Sequence, residues 1–437
     1  MLQKFKEHIN INFPFLKDKK LLIAISGGVD SVVLTHLFSE LNFDISLAHC
    51  NFQLREKESD LDEEFVELLA QKTSNQIFTI KFNTEQFALK NKLSTQITAR
   101  ELRYNWFQEI IEKHNFDYVL TAHHADDNLE TFLINLTRGS GLEGFTGIPK
   151  INGDIVRPLL AFSREEILAY AKTNTIVWRE DASNATTKYI RNKIRHKILP
   201  VLKEINPNLL ETFAKTLENL QESKQIIEDR IATISSEVIE TKNGIIKINI
   251  DIINQLSNPK AYLYQLLKEY NFTEWNDVYN LLSAQSGKQV YSKTHRLVKD
   301  REYLLLSERD FSIALKITFE IQESQLEITK PIYLIFEDVL QKSEQNKQTI
   351  YVDKDLLKYP LIIRKRQNGD YLYPLGMQGK KKLSKYFKDE KFSLIEKENT
   401  WLLCNAENEI IWVISNRQDN RFSLKNTSKN ILKITSK

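Results

Sequence analysis

The hexapeptide Ser26-Gly27-Gly28-Val29-Asp30-Ser31 constrains this chain more than any other feature. It follows the apolar run Leu21-Leu22-Ile23-Ala24-Ile25, which reads as a buried parallel strand, and precedes residues 32–41, which carry helical apolar spacing. Paired glycines let the backbone turn sharply and approach an oxygen-rich ligand with no β-carbon in the way. The first N–H groups of the following helix are unpaired and carry the positive end of its dipole, so such a junction binds phosphate. Ser26 and Ser31 add hydroxyl donors. Asp30 is the odd member, because a carboxylate beside phosphates is repulsive unless a cation such as Mg2+ bridges them. The bland alternative is a strand–helix turn in which Ser and Asp only cap the helix. A Walker loop is excluded, because the G-K-[ST] ending is missing.

The surrounding segments continue the alternation. Residues 43–49, 76–82 and 117–122 read as strands, and 61–71 and 94–114 as helices. Strands alternating with helices imply right-handed crossovers and a doubly wound parallel sheet, an α/β fold whose ligands sit beyond the carboxyl ends of the strands. Chemistry is therefore expected just after Ile25, His49 and Ala122. A second glycine pattern, Gly139-Ser140-Gly141-Leu142-Glu143-Gly144, matches a dinucleotide fingerprint by letter but follows a helical segment, not a strand.

At 437 residues the chain is long enough for two or three domains. We divide it into a nucleotide-binding domain over 1–205, a mainly helical middle domain with a linker over 206–345, and a small α+β C-terminal domain over 346–437. Residues 310–348 read as irregular and linker-like. No apolar run is long enough to span a membrane, and the first residues lack a signal-like apolar core. The two cysteines, Cys50 and Cys404, exclude a disulfide framework and fit a cytoplasmic protein. The net charge of +3 announces nothing by itself. Its distribution says more: between Arg364 and Lys391, nine basic residues face three acidic ones and are interleaved with Tyr371, Tyr373, Tyr386 and Phe387. Such a surface suits a polyanion, although a plain solvated lysine face would look the same. Lys381, Lys385 and Lys388 fall at helical i, i+4, i+7 spacing.

The loop resembles that of the N-type ATP pyrophosphatases (the PP-loop family), which implies cleavage between the α and β phosphates of ATP and transfer of AMP to an oxygen. Further stretches narrow the resemblance to the tRNA(Ile)-lysidine synthetases. They are Ala48-His49-Cys50-Asn51 with Arg55 and Glu58-Ser59-Asp60, then Ala99-Arg100-Glu101-Leu102-Arg103-Tyr104, and then residues 121–131 from Thr121-Ala122-His123-His124 through Asp126-Asp127-Asn128-Leu129-Glu130. Arg138-Gly139-Ser140-Gly141-Leu142, Arg157-Pro158-Leu159-Leu160, Glu180-Asp181-Ala182-Ser183-Asn184 and Arg191-Asn192 with Arg195 complete the set. The chain departs from the pattern at Phe52, where many members have histidine.

That resemblance implies adenylation of the C2 oxygen of the wobble cytidine in a tRNA(Ile) with a CAU anticodon, followed by displacement of AMP by the ε-amine of L-lysine. It implies ATP bound by Ser26–Ser31 with Mg2+ at Asp30, lysine held by Asp127 and Glu130, and Asp30, Arg103, His123 and Arg195 acting around the reacting base. It also implies tRNA contacts at Lys380, Lys381, Lys382, Lys385 and Lys388, and leaves a homodimer open. Read alone, Asp126 and Asp127 are ordinary helix N-terminal acids, His124 is structural, and Arg100 and Arg103 are surface residues. Another adenylating tRNA enzyme, or an RNA-binding protein without catalysis, remain the alternatives.

Overall fold

The computed structural model describes residues 1–55, 57–180, 190–242, 244–309, 318–377 and 379–437. Asp181–Asn184 of the motif beginning at Glu180 lie outside the described residues. The chain forms two compact units, Met1–Glu228 and Asp229–Lys437.

In the first unit the apolar run after Lys20 becomes β1 (Leu21–Ala24), with Leu21, Leu22 and Ile23 wholly buried. It is flanked by β2 (Ile45–Asn51), β3 (Ile77–Lys81), β4 (Tyr118–Leu120) and the short hairpin β5 (Ile151–Asn152) and β6 (Ile155–Val156). The spatial order is β3-β2-β1-β4-β6-β5, parallel throughout except where β5 meets β6. Strand residues alternate between faces, and two clusters record it. Leu21 and Ile23 join Phe5, Val33, Leu37 and Val66 on one side, while Leu22, Ala48 and Val119 join Trp106, Phe107 and Ile110 on the other. The first side is covered by α1 (Leu2–Asn12), α2 (Val29–Glu40) and α3 (Lys57–Lys72). The second is covered by the helix that follows α4 (Thr84–Asn91), namely α5 (Thr95–His114). Helices on both faces make the sheet doubly wound, as the alternation implied. Each of the buried Leu, Ile, Val and Phe side chains among them contributes roughly 1.5–3 kcal/mol. β2 continues on one side of β1 and β4 begins the other, so a crevice opens at the carboxyl end of β1.

The decoy glycine pattern is a helix–helix turn. Gly139, at φ 73°, ends α6 (Ala125–Arg138), and Gly141 precedes the short helix Leu142–Phe145.

The second unit carries the helices anticipated beyond residue 206, the tail of the long helix Leu209–Val238 and then Ile250–Gln255, Pro259–Leu267 and Trp275–Asn280. They pack on a five-stranded antiparallel sheet that the helical reading did not include: β7 (Ile239–Lys242), β8 (Ile245–Asn249), β9 (Gln289–Tyr291), β10 (His295–Asp300) and β11 (Tyr303–Glu308). The linker reading does not hold for the described part of 310–348. Phe319–Ile321 joins Leu361–Lys365 in one C-terminal sheet, and Leu334–Val339 pairs with Ile431–Ser436 in another. The first is only three residues long with Ile321 alone fully buried, and the second breaks its alternation at the exposed pair Glu337-Asp338, so neither shows a regular period-two pattern in the sequence.

Candidate active site

The turn between β1 and α2 is shaped by its own hydroxyls. Gly27 sits at φ 88°, open to glycine and strained for other residues, and a β-carbon there would also meet Phe65 at 3.4 Å. The Ser31 hydroxyl donates to the Gly28 carbonyl at 2.9 Å and accepts from the Ser26 N–H at 3.2 Å. The loop is tied down from outside as well. The Arg179 N–H donates to the Gly27 carbonyl at 3.0 Å, while its guanidinium grips Asp62 at 2.6 Å and Glu58 at 2.8 Å. The acidic helix after β2 thus serves the loop.

A cavity of about 690 Å³ opens beyond the strand ends. Its walls bring together Ser26, Asp30, Ser31, Arg103, His123 and Asp127, all anticipated from the sequence. Gly27 and Gly28 form the turn between Ser26 and α2, whose first residue is Val29. Glu130 and Arg195 are not among its walls. Arg100, three residues before Arg103 on α5, lines a separate depression of about 380 Å³ instead.

Asp30 is held through one oxygen only. Its Oδ2 lies 3.3 Å from Arg164 Nη1 and 3.8 Å from His124 Nε2. Its Oδ1 is buried with no hydrogen-bond partner. Burial pushes the Asp30 pKa above its usual value, against the charges of His124 and Arg164. A cation at Oδ1 would relieve that desolvation, so the donor set fits a hard divalent ion shared with phosphate oxygens.

Asp127 and Glu130 share a face of α6, and two arginines close over them. Arg191 reaches Asp127 Oδ1 at 2.9 Å and Glu130 Oε2 at 2.6 Å. Arg195 reaches the same Asp127 oxygen at 3.0 Å and Glu130 Oε1 at 2.5 Å. Glu130 is wholly buried. Burial alone would raise the Asp127 pKa, but His124 and Arg191 outweigh it and hold the carboxyl at about 2. Arg195 sits in a π-helical turn, Ile194–Ile198, a rare form that often marks functional positions.

His124 caps α6, accepting from the Asp127 N–H at 3.4 Å while Asp127 Oδ2 accepts from the His124 N–H at 3.1 Å. The structural role read for it holds, but its ring also lies between Asp30 and Asp127. His123 points elsewhere, with Nδ1 at 3.0 Å from Thr121 Oγ1. Burial pushes its pKa down to about 4, so it is neutral at physiological pH. Phe52, the departure from the family pattern, carries the Arg103 guanidinium over its ring at 5.2 Å and stacks on Phe82 at 5.7 Å. Cys50, also in the wall, has its thiol pushed up to about 12 by burial.

Sequence reasoning gave no role to Arg164, Arg191 or His49. Arg191 and His49 stood inside quoted motifs, but their partners are dozens of residues away. Arg164 gave no signal beyond the capping box Ser163–Glu166 beside it.

In the second unit Lys381 does not share a helical face with Lys385 and Lys388. Lys381 and Lys382 form a short strand paired with Tyr371–Leu372, and the helix begins only at Leu383. Lys381 is spent on Asp389 at 2.8 Å, and Lys380 lies 3.4 Å over the Tyr371 ring. Lys382, Lys385 and Lys388 are exposed. Arg364, counted in the basic excess, is buried and forks onto Asp370 at 2.8 and 2.9 Å, so it is no surface cation.

Residues 1–202 match the PP-loop domain, 241–309 the TilS substrate binding domain and 361–434 the TilS substrate C-terminal domain. A tRNA(Ile)-lysidine synthase of Parabacteroides distasonis is 40% identical over 422 residues, covering 95% of each chain. One from Bacteroides thetaiotaomicron is 40% identical over 433 residues, covering 98% of this chain and 96% of its own. One from Bacillus subtilis is 29% identical over 442 residues, covering 94% and 93%. With a phosphate loop, a charged cavity and similarity from end to end, the chain belongs to the tRNA(Ile)-lysidine synthase family.

Proposed function

We propose that this chain ligates L-lysine to C2 of the wobble cytidine (position 34) of tRNA(Ile) with a CAU anticodon, using ATP and forming lysidine, which changes decoding from AUG to AUA. The observation that supports this best is one cavity in which a phosphate loop meets Arg103, His123 and Asp127.

In the first step the cytidine C2 oxygen attacks the α-phosphorus of ATP. The bond to the bridging oxygen of the β-phosphate breaks, and pyrophosphate leaves. The Ser26–Ser31 turn and the first N–H groups of α2 hold the phosphates. Asp30 would hold the Mg2+ that neutralises them, through its partnerless Oδ1. Arg103, its guanidinium over the Phe52 ring, lines the cavity where it can serve the base carbonyl or the transferring phosphate, and Arg195 acts through Asp127 and Glu130, which it holds. In the second step the lysine ε-amine attacks C2, a C–N bond forms, the C–O bond to AMP breaks, and a proton is released. Neutral His123 can take that proton, directly or through water.

Asp127 and Glu130 suit a cationic substrate, but both are already neutralised by Arg191 and Arg195. An arriving ammonium therefore has to take the place of a guanidinium. Arg191 is the one that yields, because its side chain lines the cavity and is 40% exposed against 19% for Arg195.

The three-part division at about 205 and 345, tRNA binding through Lys380, Lys381, Lys382, Lys385 and Lys388, and a cytoplasmic location belong to the same reading. Among the described residues, no helix is long and apolar enough to cross a membrane. A homodimer is compatible with it. A sulfur-transferring tRNA enzyme is the second reading, and two thiols, half-buried Cys50 and buried Cys404, that desolvation pushes up to about 12 disfavour it.

The test is AMP release measured with and without lysine and tRNA(Ile), and with the wobble cytidine changed to uridine. Release that needs both lysine and the cytidine is expected. Release without either would point to another adenylating enzyme, and no release at all to an RNA-binding protein.

A further inference from the structure

His49 stands near the end of β2, beside Ile25 and Ser26 in the cavity wall, and nothing above gives it a task. Its ring is 4% exposed, and Nδ1 lies 2.9 Å from the Ile25 carbonyl oxygen. A carbonyl oxygen only accepts, so Nδ1 carries the proton and donates it. Burial lowers the ring's pKa against the pull of that hydrogen bond, so the imidazole is neutral at physiological pH. Nε2 is thereby fixed as a bare acceptor, and it is buried with no hydrogen-bond partner. Among the described residues, only two such orphaned side-chain atoms belong to walls of this cavity, Asp30 Oδ1 and His49 Nε2. A buried acceptor without a donor is unfavourable, and most such atoms acquire a partner.

The chemistry of that partner is restricted. Phosphate oxygens and base carbonyls are acceptors and cannot satisfy Nε2, and Mg2+ prefers oxygen ligands. The donor must be an N–H or O–H. His49 lies on the β2 side of the phosphate loop, whereas His123, Asp127 and Arg191 lie on the β4 side or on the helices after it. With lysine and its carboxylates on the β4 side, the space beside His49, next to the phosphate loop, is left for the nucleoside of ATP. This step rests on the function proposed above.

We infer that His49 is an ATP-binding residue whose Nε2 accepts a hydrogen bond from the nucleoside, from either the adenine amine or a ribose hydroxyl. The two sources differ in consequence. A bond from the amine selects ATP over guanine nucleotides, whose carbonyl at that position would set acceptor against acceptor. A bond from the ribose leaves the base unselected.

The experiment measures binding to the full chain by calorimetry, without tRNA or lysine. Wild type, His49→Leu and His49→Gln are each titrated with ATP, purine riboside triphosphate, 2′-deoxy-ATP and 3′-deoxy-ATP. Leu keeps the bulk and removes the acceptor, and Gln restores an acceptor. ATP is expected to bind the Leu variant about two- to tenfold more weakly, with partial recovery in Gln. The one analogue lacking the donor should bind wild type as weakly as ATP binds the Leu variant, and should lose nothing further in that variant. Unchanged ATP affinity in a folded Leu variant overturns the inference alone. If Leu does not fold, three analogues that bind wild type as well as ATP does overturn it by themselves. Failure of wild type to bind ATP overturns the phosphate-loop reading as well.

Discussion

Glu130 and Lys385 are both charged helix residues that the sequence marked for binding, yet they live under different electrostatics. Glu130 is wholly buried and clasped by two guanidiniums at 2.5 and 2.6 Å. Lys385 stands exposed on a short helix, with Lys388 one turn further on. At the first place a charge cannot be removed without stranding its partner in a medium that solvates it poorly. At the second, water and salt screen each charge, and affinity accumulates contact by contact. The cavity should therefore respond strongly to single substitutions, and the lysine segment by small increments that add up.

The largest effect is expected at Asp30. Asp30→Ala removes the carboxylate that would hold the cation, and AMP formation should fall by about a hundredfold or more, the scale of losing a key electrostatic stabiliser. tRNA binding, measured by filter retention, should stay nearly unchanged. Turnover at the wild-type rate would break the comparison at its root.

Glu130→Gln keeps shape and removes charge. It should raise the lysine concentration needed for half-maximal AMP release about ten- to a hundredfold. It should also destabilise the fold by about 3–5 kcal/mol, read by denaturant titration, because Arg191 and Arg195 then share one carboxylate. A stability loss with no change in lysine dependence would leave Glu130 as a support alone.

His123 gives the cavity a pH signature. Its folded pKa of about 4 lies below the ordinary histidine value, so the unfolded chain binds the proton more readily. Stability should begin to fall as pH drops below about 6.5 and the loss should be complete below about 4, amounting to about 1–3 kcal/mol. His123→Gln should flatten that part of a melting-temperature profile, and an unchanged profile would refute the assignment.

Arg191→Ala removes the guanidinium that competes with lysine while Arg195 stays. Half-saturation by lysine should fall a few-fold, the scale of one partly exposed ion pair. A rise instead would make Arg191 part of the lysine site.

The smallest single effects belong to the C-terminal segment. Lys382→Ala, Lys385→Ala and Lys388→Ala should each lower the slope of log affinity against log salt by about 0.7–0.9, with ATP and lysine binding untouched. Lys381→Ala should do least, since its ammonium is engaged by Asp389. Equal slopes for all variants would remove this segment from the tRNA contact.

What the sequence made legible was local. A buried strand reads as an apolar run, and Gly27 announces a turn because its backbone needs φ 88°. The cavity walls could be listed from strand ends because a parallel sheet gathers its carboxyl termini on one edge. Contacts across the chain were not legible. Arg191 and Arg195 meet Glu130 across more than sixty residues, and no periodicity encodes such a meeting. The sheet of the second unit escaped because its outer strands, such as Ile239–Lys242, are mostly exposed and lack the alternation of a half-buried strand. Arg364 misled for the opposite reason, since a cation buried against Asp370 has the same letter as one in solvent.

The thiols of Cys50 and Cys404 have a practical consequence. Each is pushed to about 12, so each remains protonated and a poor nucleophile toward maleimides and iodoacetamides. A single cysteine introduced at an exposed position such as Lys388 should take up a fluorophore selectively, with no need to delete the native pair first. Under the tRNA contact proposed for that segment, a dye there would report on tRNA arrival while the cavity chemistry proceeds unlabelled, which makes the two differently charged regions separately observable in one molecule.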